Sequence, residues 1–458
     1  MDYQESINRL LSLVDHERRQ PVAPRQKQIF DLGRMVGFLE LLGNPHRSTP
    51  TIHVAGTKGK GSTAAFCDAV LAAAGYRTGF YSSPHLHSFC ERIRLDTAPI
   101  SQPRFASLVQ ELWPHRGQIG RSAELGEVSL FEFMTAMAFW CFSEDRVDFQ
   151  TIEVGLGGRL DATNVVEPEV AVITSISLDH TSILGDSLEQ IAAEKAGIIK
   201  PQVSVVIAPQ PPQALEVILS KCREQRAFPI RLPEDVAWSL EEHSIDGQSL
   251  RVRVRLGEYS LQIPLLGAHQ LENASNALAA LEILMEKGYA ISQDAIKQGF
   301  ATVCWPCRME VLSTRPLLLA DGAHNPHSIG VLLTSLPEYL TFRRIVLIVG
   351  FSRDKQISEM VKLLAQQGNP VYATRSRHPR SVPPDELGEM FRDRGVASVA
   401  ETETVDDALS LARQAAGPED LILGIGSLFV AAELREAVLG IEPELYPDLL
   451  PAVKPQAR

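Results

Sequence analysis

Residues 51–55, Thr-Ile-His-Val-Ala, form a short, mostly apolar run between Pro50 and Gly56, the pattern of a strand buried on both faces. A glycine-rich loop follows, and the alanine-rich stretch 62–74 predicts a helix. The same succession recurs, with strands expected at 77–82, 147–154 and 170–175 and helices at 130–142 and 188–196. Alternation of this kind predicts a mostly parallel sheet with helices on both faces. Ahead of it, residues 1–48 read as two helices; the second, 30–42, has apolar residues at helical spacing and is stopped by Gly43-Asn44-Pro45.

The period changes at 237–264. Leu250-Arg251-Val252-Arg253-Val254-Arg255-Leu256 alternates strictly, and Asp246-Gly247 precedes it as a turn, so a small antiparallel sheet is expected there. Helices at 270–287 and 292–298 follow. The segment 301–308, with Trp305-Pro306, has no periodicity and marks a domain boundary. Beyond it α/β alternation resumes, with strands at 316–320, 345–349, 370–373 and 421–424 and helices at 328–336, 358–366 and 405–415.

Length supports this division. At about 150 residues per domain, 458 residues predict two or three domains. The net charge of −12 argues against non-specific nucleic-acid binding. No apolar run is long enough for a membrane span, and the polar start Met1-Asp2-Tyr3-Gln4-Glu5 does not read as a signal peptide. Six cysteines, few for this length, fit free thiols in a reducing compartment, and the cytoplasm is expected.

Candidate chemistry begins at Gly56-Thr57-Lys58-Gly59-Lys60-Gly61-Ser62-Thr63, between a strand and a helix. Glycines let backbone N–H groups curl around phosphate oxygens, and a helix N-terminus adds its dipole. Lys60 would reach the terminal phosphates. The Walker spacing is incomplete, because Val54 and Ala55 occupy the region of its first glycine, and a glycine-rich turn with surface lysines fits the same residues. Two polar runs fall at strand ends, 153–164 and 174–180. Glu153 and His180 there are competent Mg²⁺ ligands beside a triphosphate, or else a helix cap and a buried histidine. Ser83, in Ser82-Ser83-Pro84-His85, is a further oxygen donor or part of an X-Pro turn.

His53-Val54-Ala55-Gly56-Thr57-Lys58-Gly59-Lys60-Gly61-Ser62 resembles the ATP loop of the Mur ligase superfamily, and within it the chain is similar to the bifunctional dihydrofolate synthase/folylpolyglutamate synthases. Further matching stretches are 82–86, Phe131-Glu132-Phe133, 153–164, 177–185, Glu194-Lys195-Ala196-Gly197, 269–280, 305–310, Asp321-Gly322-Ala323-His324-Asn325-Pro326 and Gly426-Ser427-Leu428-Phe429. They run in family order along nearly the whole chain.

The resemblance implies a phosphate-loop ATPase-like domain (1–300) with a mostly parallel sheet and an antiparallel appendage. A smaller Rossmann-like α/β domain (301–458) follows. It implies ATP-dependent joining of L-glutamate to dihydropteroate and to the glutamyl tails of reduced folates. The carboxylate becomes an acyl phosphate, which the glutamate amine then displaces. Such steps gather negative charge, so catalysis needs cations and N–H donors more than a nucleophilic side chain.

Residue by residue, the resemblance places Thr57, Lys58, Gly59, Lys60, Gly61 and Ser62 at the phosphates. Asn273, Arg308, Asp321 and His324 complete the ATP site. Ser83, Glu153 and His180 would bind Mg²⁺, in all two ions, with Lys195 joining them as a CO₂-derived carbamate. Lys60, His180 and Lys195 are the expected catalytic residues. Phe30, Asp31, Leu32, Phe131, Glu132, Leu160, Asp161 and Ala162 match the pterin-contacting segments, although Phe131 also fits core packing. A monomer with small-molecule substrates and no nucleic-acid or membrane partner is expected.

Two positions depart from the family pattern. Lys58 replaces the usual Asn, and Cys307 replaces the usual Gly, creating Cys304-Trp305-Pro306-Cys307. Read alone, that spacing suggests a redox pair or half a zinc site. Residues 341–380 hold eight Arg or Lys against two acids, a stretch suited to glutamate or a polyglutamate tail, or to a solvated face. Two other readings fit the same motifs: a ligase acting on a UDP-linked cell-wall precursor, and a non-catalytic nucleotide-binding protein.

Overall fold

The computed structural model describes residues 1–14, 32–119 and 126–446. In chain order its strands are β1 (Thr51–Ala55), β2 (Thr78–Tyr81), β3 (Ile93–Leu95), β4 (Ala98–Pro99), β5 (Phe149–Glu153), β6 (Val170–Ile173), β7 (Ser204–Ile207), β8 (Phe228–Arg231), β9 (Ala237–Ser244), β10 (Gly247–Val254), β11 (Gly257–Ile263), β12 (Glu310–Thr314), β13 (Leu317–Ala320), β14 (Ile345–Val349), β15 (Gly368–Ala373), β16 (Val399–Glu401) and β17 (Leu421–Ile425).

The first domain is built on an eight-stranded sheet of order β4-β3-β2-β5-β1-β6-β7-β8. Strands β2 to β8 in this order pair parallel, while β3 and β4 add an antiparallel edge. Every side chain of β1, β5 and β6 is buried, including the polar Thr51, His53, Gln150, Thr151 and Glu153, as strands covered on both faces require. Val54 pairs with Glu153 and Ala55 with Ile173, so the carboxyl ends of these three neighbouring strands lie level. The loops leaving them therefore emerge together on one edge of the sheet, where open α/β sheets bind ligands.

Helix Lys60–Ala73 follows β1 and is buried along most of its length. Gly299 brings helix Gln293–Thr302 so close that a Cβ there would stand 2.4 Å from the Cα of Val70. Phe66 stacks on Phe300 with ring centroids 5.1 Å apart. Strands β9, β10 and β11 form the predicted antiparallel sheet, and their inward residues Leu250, Val252, Tyr259, Leu261 and Ile263 join the same core.

Asp68, on that buried helix, is 2% exposed, and burial pushes its carboxyl up to about 6 despite nearby Arg94. A carboxyl raised in the folded state favours folding in its protonated form. Stability is thus highest below the ordinary Asp range and falls as pH rises from about 4 through about 6. Asp68→Asn is expected to stabilise the protein by about 2–3 kcal/mol at pH 8, with the gain fading toward pH 4 in urea titrations. A gain independent of pH would contradict this.

The second domain holds a six-stranded sheet of order β12-β13-β17-β14-β15-β16, parallel except for β12. The chain crosses between domains at 303–309. Trp305 stays with the first domain, its ring 5.5 Å from that of Phe80, whereas Cys307 and Met309 enter the cores of the second. Cys307 has φ 59°, a left-handed conformation that explains why the family pattern carries glycine there. Cys304 is exposed and Cys307 buried, both are free, and among the described residues no group of three His, Cys, Asp or Glu could hold a metal.

Candidate active site

The loop after β1 is shaped by close approach. Gly59 has φ 88°, and a Cβ on it would lie 2.1 Å from Asn273 Oδ1; one on Gly56 would lie 1.8 Å from Thr174 Oγ1, and one on Gly61 2.5 Å from the Trp305 ring. The N–H groups of Thr57 and Lys58 donate to the Ser175 carbonyl, and Thr57 Oγ1 donates to the Ser177 carbonyl at 3.2 Å. These bonds pin the loop to the chain leaving β6. Helix Lys60–Ala73 then starts at Gly59 without a side-chain cap. Its uncapped first-turn N–H groups and Lys60 form a cradle that could receive an anion, with Ser62 buried in the same turn.

Beside the cradle lie the acid, the imidazole and the lysine. Glu153, at the end of β5, is buried, and burial pushes its carboxyl up against the opposing pull of Lys60, Arg308 and the Ser83 N–H. Its nearest ammonium, Lys60 Nζ, is 3.9 Å away, beyond hydrogen-bond distance. Lys195, in the last turn of helix Leu188–Ala196, is 5% exposed and donates from Nζ to the Gly56 carbonyl at 2.7 Å. Burial first, then Lys60, lowers its ammonium to about 7. His180 has φ 49° and an exposed side chain, 44% accessible; crowding at the cleft and the cations around it lower its imidazole, against the pull of Asp179.

Asp179, not singled out in the sequence, is the junction of the cleft. It accepts from Lys58 Nζ at 2.8 Å and from Asn325 Nδ2 of the second domain at 3.1 Å. His324 Nε2 and Lys355 Nζ stand 4.0 and 3.7 Å away. Burial opposes its ionisation, but Lys58, His180, Lys355 and His324 hold the carboxyl well below the usual range. An acid immediately before the imidazole in Leu178-Asp179-His180 was the available signal.

From the second domain, Asp321 at the end of β13 accepts from the N–H groups of Met309 and Ala323, both at 2.8 Å. It fixes the crossing segment and so places Arg308, whose Nη1 donates to the Cys307 carbonyl at 3.1 Å. His324 Nδ1 lies 2.8 Å from the Gly322 carbonyl. Asn273 is buried and donates to Gln270 Oε1 at 3.0 Å, beside Gly59.

The pterin segments separate into three groups. Phe30 and Asp31 lie outside the described residues, and Leu32 opens helix Leu32–Leu41. The Phe131 ring is partly exposed and packs over Gly155, where a Cβ would come within 2.4 Å of it. Glu132 is engaged by the protein itself: Arg34 Nε donates to both its oxygens at 2.8 and 2.9 Å, and Ser129 completes a capping box. Asp161 is likewise occupied, accepting from Leu156 N–H at 2.9 Å and from Thr163 Oγ1 at 2.5 Å, while His53 Nε2 lies 3.0 Å from that hydroxyl. It holds the glycine-rich loop 155–158 beside Phe131; Leu160 is partly exposed and Ala162 buried.

The basic stretch 341–380 does not present a bare cationic face. Arg343 and Arg344 pair with Asp420, Arg353 with Glu386, Lys362 with Glu359, Arg375 with Glu403, Arg377 with Glu433 and Glu436, and Arg380 with Asp354. Lys355 is the exception in placement, turned to Asp179 in the cleft.

A domain model described as "Mur ligase middle domain" matches residues 131–281, and one described as "Mur ligase, glutamate ligase domain" matches 307–428. The dihydrofolate synthase/folylpolyglutamate synthase of Bacillus subtilis is 35% identical over 409 residues, 88% of this chain and 94% of that protein. The chain belongs to the dihydrofolate synthase/folylpolyglutamate synthase family. A Mycobacterium tuberculosis folylpolyglutamate synthase complexed with ADP and AMPPCP superposes with TM-score 0.86 at 34% identity, covering 96% of this chain and 99% of that one. An Escherichia coli protein in complex with DHPP and ADP gives TM-score 0.80 at 29% identity, covering 96% and 98%. As a member of this family the chain is an ATP-dependent amino-acid ligase, and the family's two-domain α/β architecture is the one described above. Among the described residues no helix is long and apolar enough to cross a membrane.

Proposed function

We propose that this chain joins L-glutamate to the carboxyl group of dihydropteroate, and to the glutamyl tails of reduced folates, at the cleft between its two domains. The observation that carries the reading is the placement of a buried lysine, Lys195, on the carbonyl of the phosphate-loop residue Gly56, in a loop whose Lys60 stands 3.9 Å from the buried carboxylate of Glu153. Lys60 and the uncapped helix N-terminus hold the triphosphate. Arg308, Asn273 and Asp321 shape the rest of the nucleotide site from both domains.

The residues fit Mg²⁺. Glu153 is a buried carboxylate that no ammonium among the described residues approaches within hydrogen-bond distance, His180 offers an exposed imidazole, and Ser83 is adjacent through its N–H bond to Glu153. Few protein ligands suffice, because Mg²⁺ is commonly completed by water and phosphate oxygens. When bound, the ion polarises the transferring phosphoryl group and neutralises its charge. The environment of Lys195 leaves a large share of its amine neutral at pH 7 to 8, the form that adds to CO₂ with loss of one proton. The resulting carbamate converts a cation into an oxygen ligand for a second ion.

On this reading the substrate carboxylate attacks the γ-phosphate in line. Lys60 and the loop N–H groups stabilise the charge that develops, and the glutamate amine then displaces phosphate. Phe131, beside the loop held by Asp161, offers a ring face to the pterin. The test is product formation with L-glutamate, ATP and Mg²⁺, with dihydropteroate and tetrahydrofolate in separate reactions. Glutamylated product from both is expected. Product from neither, or only from a UDP-linked precursor, would overturn the reading.

A further inference from the structure

Lys58, in the phosphate loop, stands where the family pattern has asparagine, and its charge is turned to a carboxylate across the cleft. Its ammonium, 24% exposed, lies 2.8 Å from Asp179 Oδ2, and Asn325 Nδ2 donates to the same oxygen at 3.1 Å. The other oxygen accepts the His180 N–H at 3.0 Å. Lys58 belongs to the phosphate loop of the first domain. Asn325 is the N-cap of helix Pro326–Tyr339 in the second, its Oδ1 accepting the Ser328 N–H at 2.9 Å. One largely buried carboxylate oxygen is therefore shared between a cation at the nucleotide site and the first residue of a helix in the opposite domain.

We infer that Asp179 couples nucleotide binding to docking of the second domain, with Lys58 as the nucleotide-side arm and Asn325 as the docking arm. The inference rests on the reading of residues 56–62 as the ATP site. A triphosphate in the loop competes with Asp179 for Lys58. Asp179 then carries a less neutralised charge, and besides the His180 N–H the partners left to it are Asn325, His324 and Lys355 of the second domain. Its hold on that domain strengthens, and by reciprocity a docked second domain strengthens nucleotide binding. In this scheme Asp179 and Asn325 are positioning residues that touch no substrate.

The test is a double-mutant cycle on AMPPCP affinity, measured calorimetrically with full-length protein and Mg²⁺. Asn325→Ser keeps an N-cap oxygen but removes the donor to Asp179. It is expected to weaken AMPPCP binding by about fivefold in the wild-type background and by less than about twofold with Asp179→Asn or Lys58→Met. A loss of equal size in all three backgrounds, or none in the wild type, overturns the coupling. A second arm needs no cap variant: AMPPCP should raise hydrogen-exchange protection at residues 325–329 in the wild type and not in Lys58→Met. Unchanged protection in the wild type also overturns it. If the wild type fails to bind AMPPCP, the ATP-site reading itself falls.

Discussion

Replacing Lys195 with alanine is expected to lower kcat by roughly 10³-fold while AMPPCP affinity stays within about threefold. The side chain is buried against the Gly56 carbonyl, and burial with Lys60 nearby lowers its ammonium to about 7. That environment suits an amine that must be neutral to take up CO₂, and it is costly for a permanent cation. Lys195→Arg should be as inactive, because a guanidinium keeps its charge and forms no stable carbamate. Acetate or propionate should restore part of the activity of Lys195→Ala by supplying a carboxylate in the space vacated, and removing CO₂ from buffers should depress the wild type alone. Near-normal turnover of Lys195→Ala in steady-state assays would eliminate the carbamate.

Gly59→Ala is expected to raise KM for ATP about 100-fold or more. Two independent penalties meet at this residue. Its φ of 88° is unfavourable for any residue with a Cβ, and that Cβ would lie 2.1 Å from Asn273 Oδ1. Relief can come only by moving the loop off the helix start or by displacing Asn273, and either spoils the anion cradle. Pairing Gly59→Ala with Asn273→Gly should remove the steric conflict but leave the backbone strain and the lost Asn273 contact. The double variant should therefore remain well below wild type. A KM within about threefold of wild type in Gly59→Ala alone would show that this loop does not hold the phosphates.

The elements with one strong period were readable in the chain. Strands Thr51–Ala55 and Ile345–Val349 and helices Leu188–Ala196 and Val405–Ala415 lie where the short apolar runs and the α/β alternation place them. Those that escaped have physical reasons. Strands β3 and β4 are three and two residues long, too short to show a period. Helix Gln102–Ile119 is capped by Ser101, whose Oγ accepts the Arg104 N–H at 3.3 Å, but Pro114 lies inside it and argues against a helix, and β16 is a three-residue edge strand. At the site, motif residues on the phosphate loop and at strand ends were visible because glycine spacing and acid–imidazole pairs are local signals.

What joins them was not visible. Asp179 to Asn325 spans 146 positions, and Lys195 to Gly56 spans 139, so only the tertiary fold reveals those partners. The same limit explains Glu132 and Asp161, whose carboxylates look free in the sequence but are engaged by Arg34 and by the loop at 156. It also explains the basic stretch, neutralised by acids as distant as Asp420 and Glu436.

On the proposed mechanism this cleft activates a carboxylate by phosphorylating it. The most direct measurement uses dihydropteroate labelled with ¹⁸O in its carboxylate, together with ATP, Mg²⁺ and L-glutamate, and analyses the released phosphate by mass. Phosphoryl transfer to the carboxylate followed by amine attack leaves one labelled oxygen in each phosphate, and that is the result predicted. Phosphate released in step with glutamylated product but carrying no ¹⁸O would contradict it.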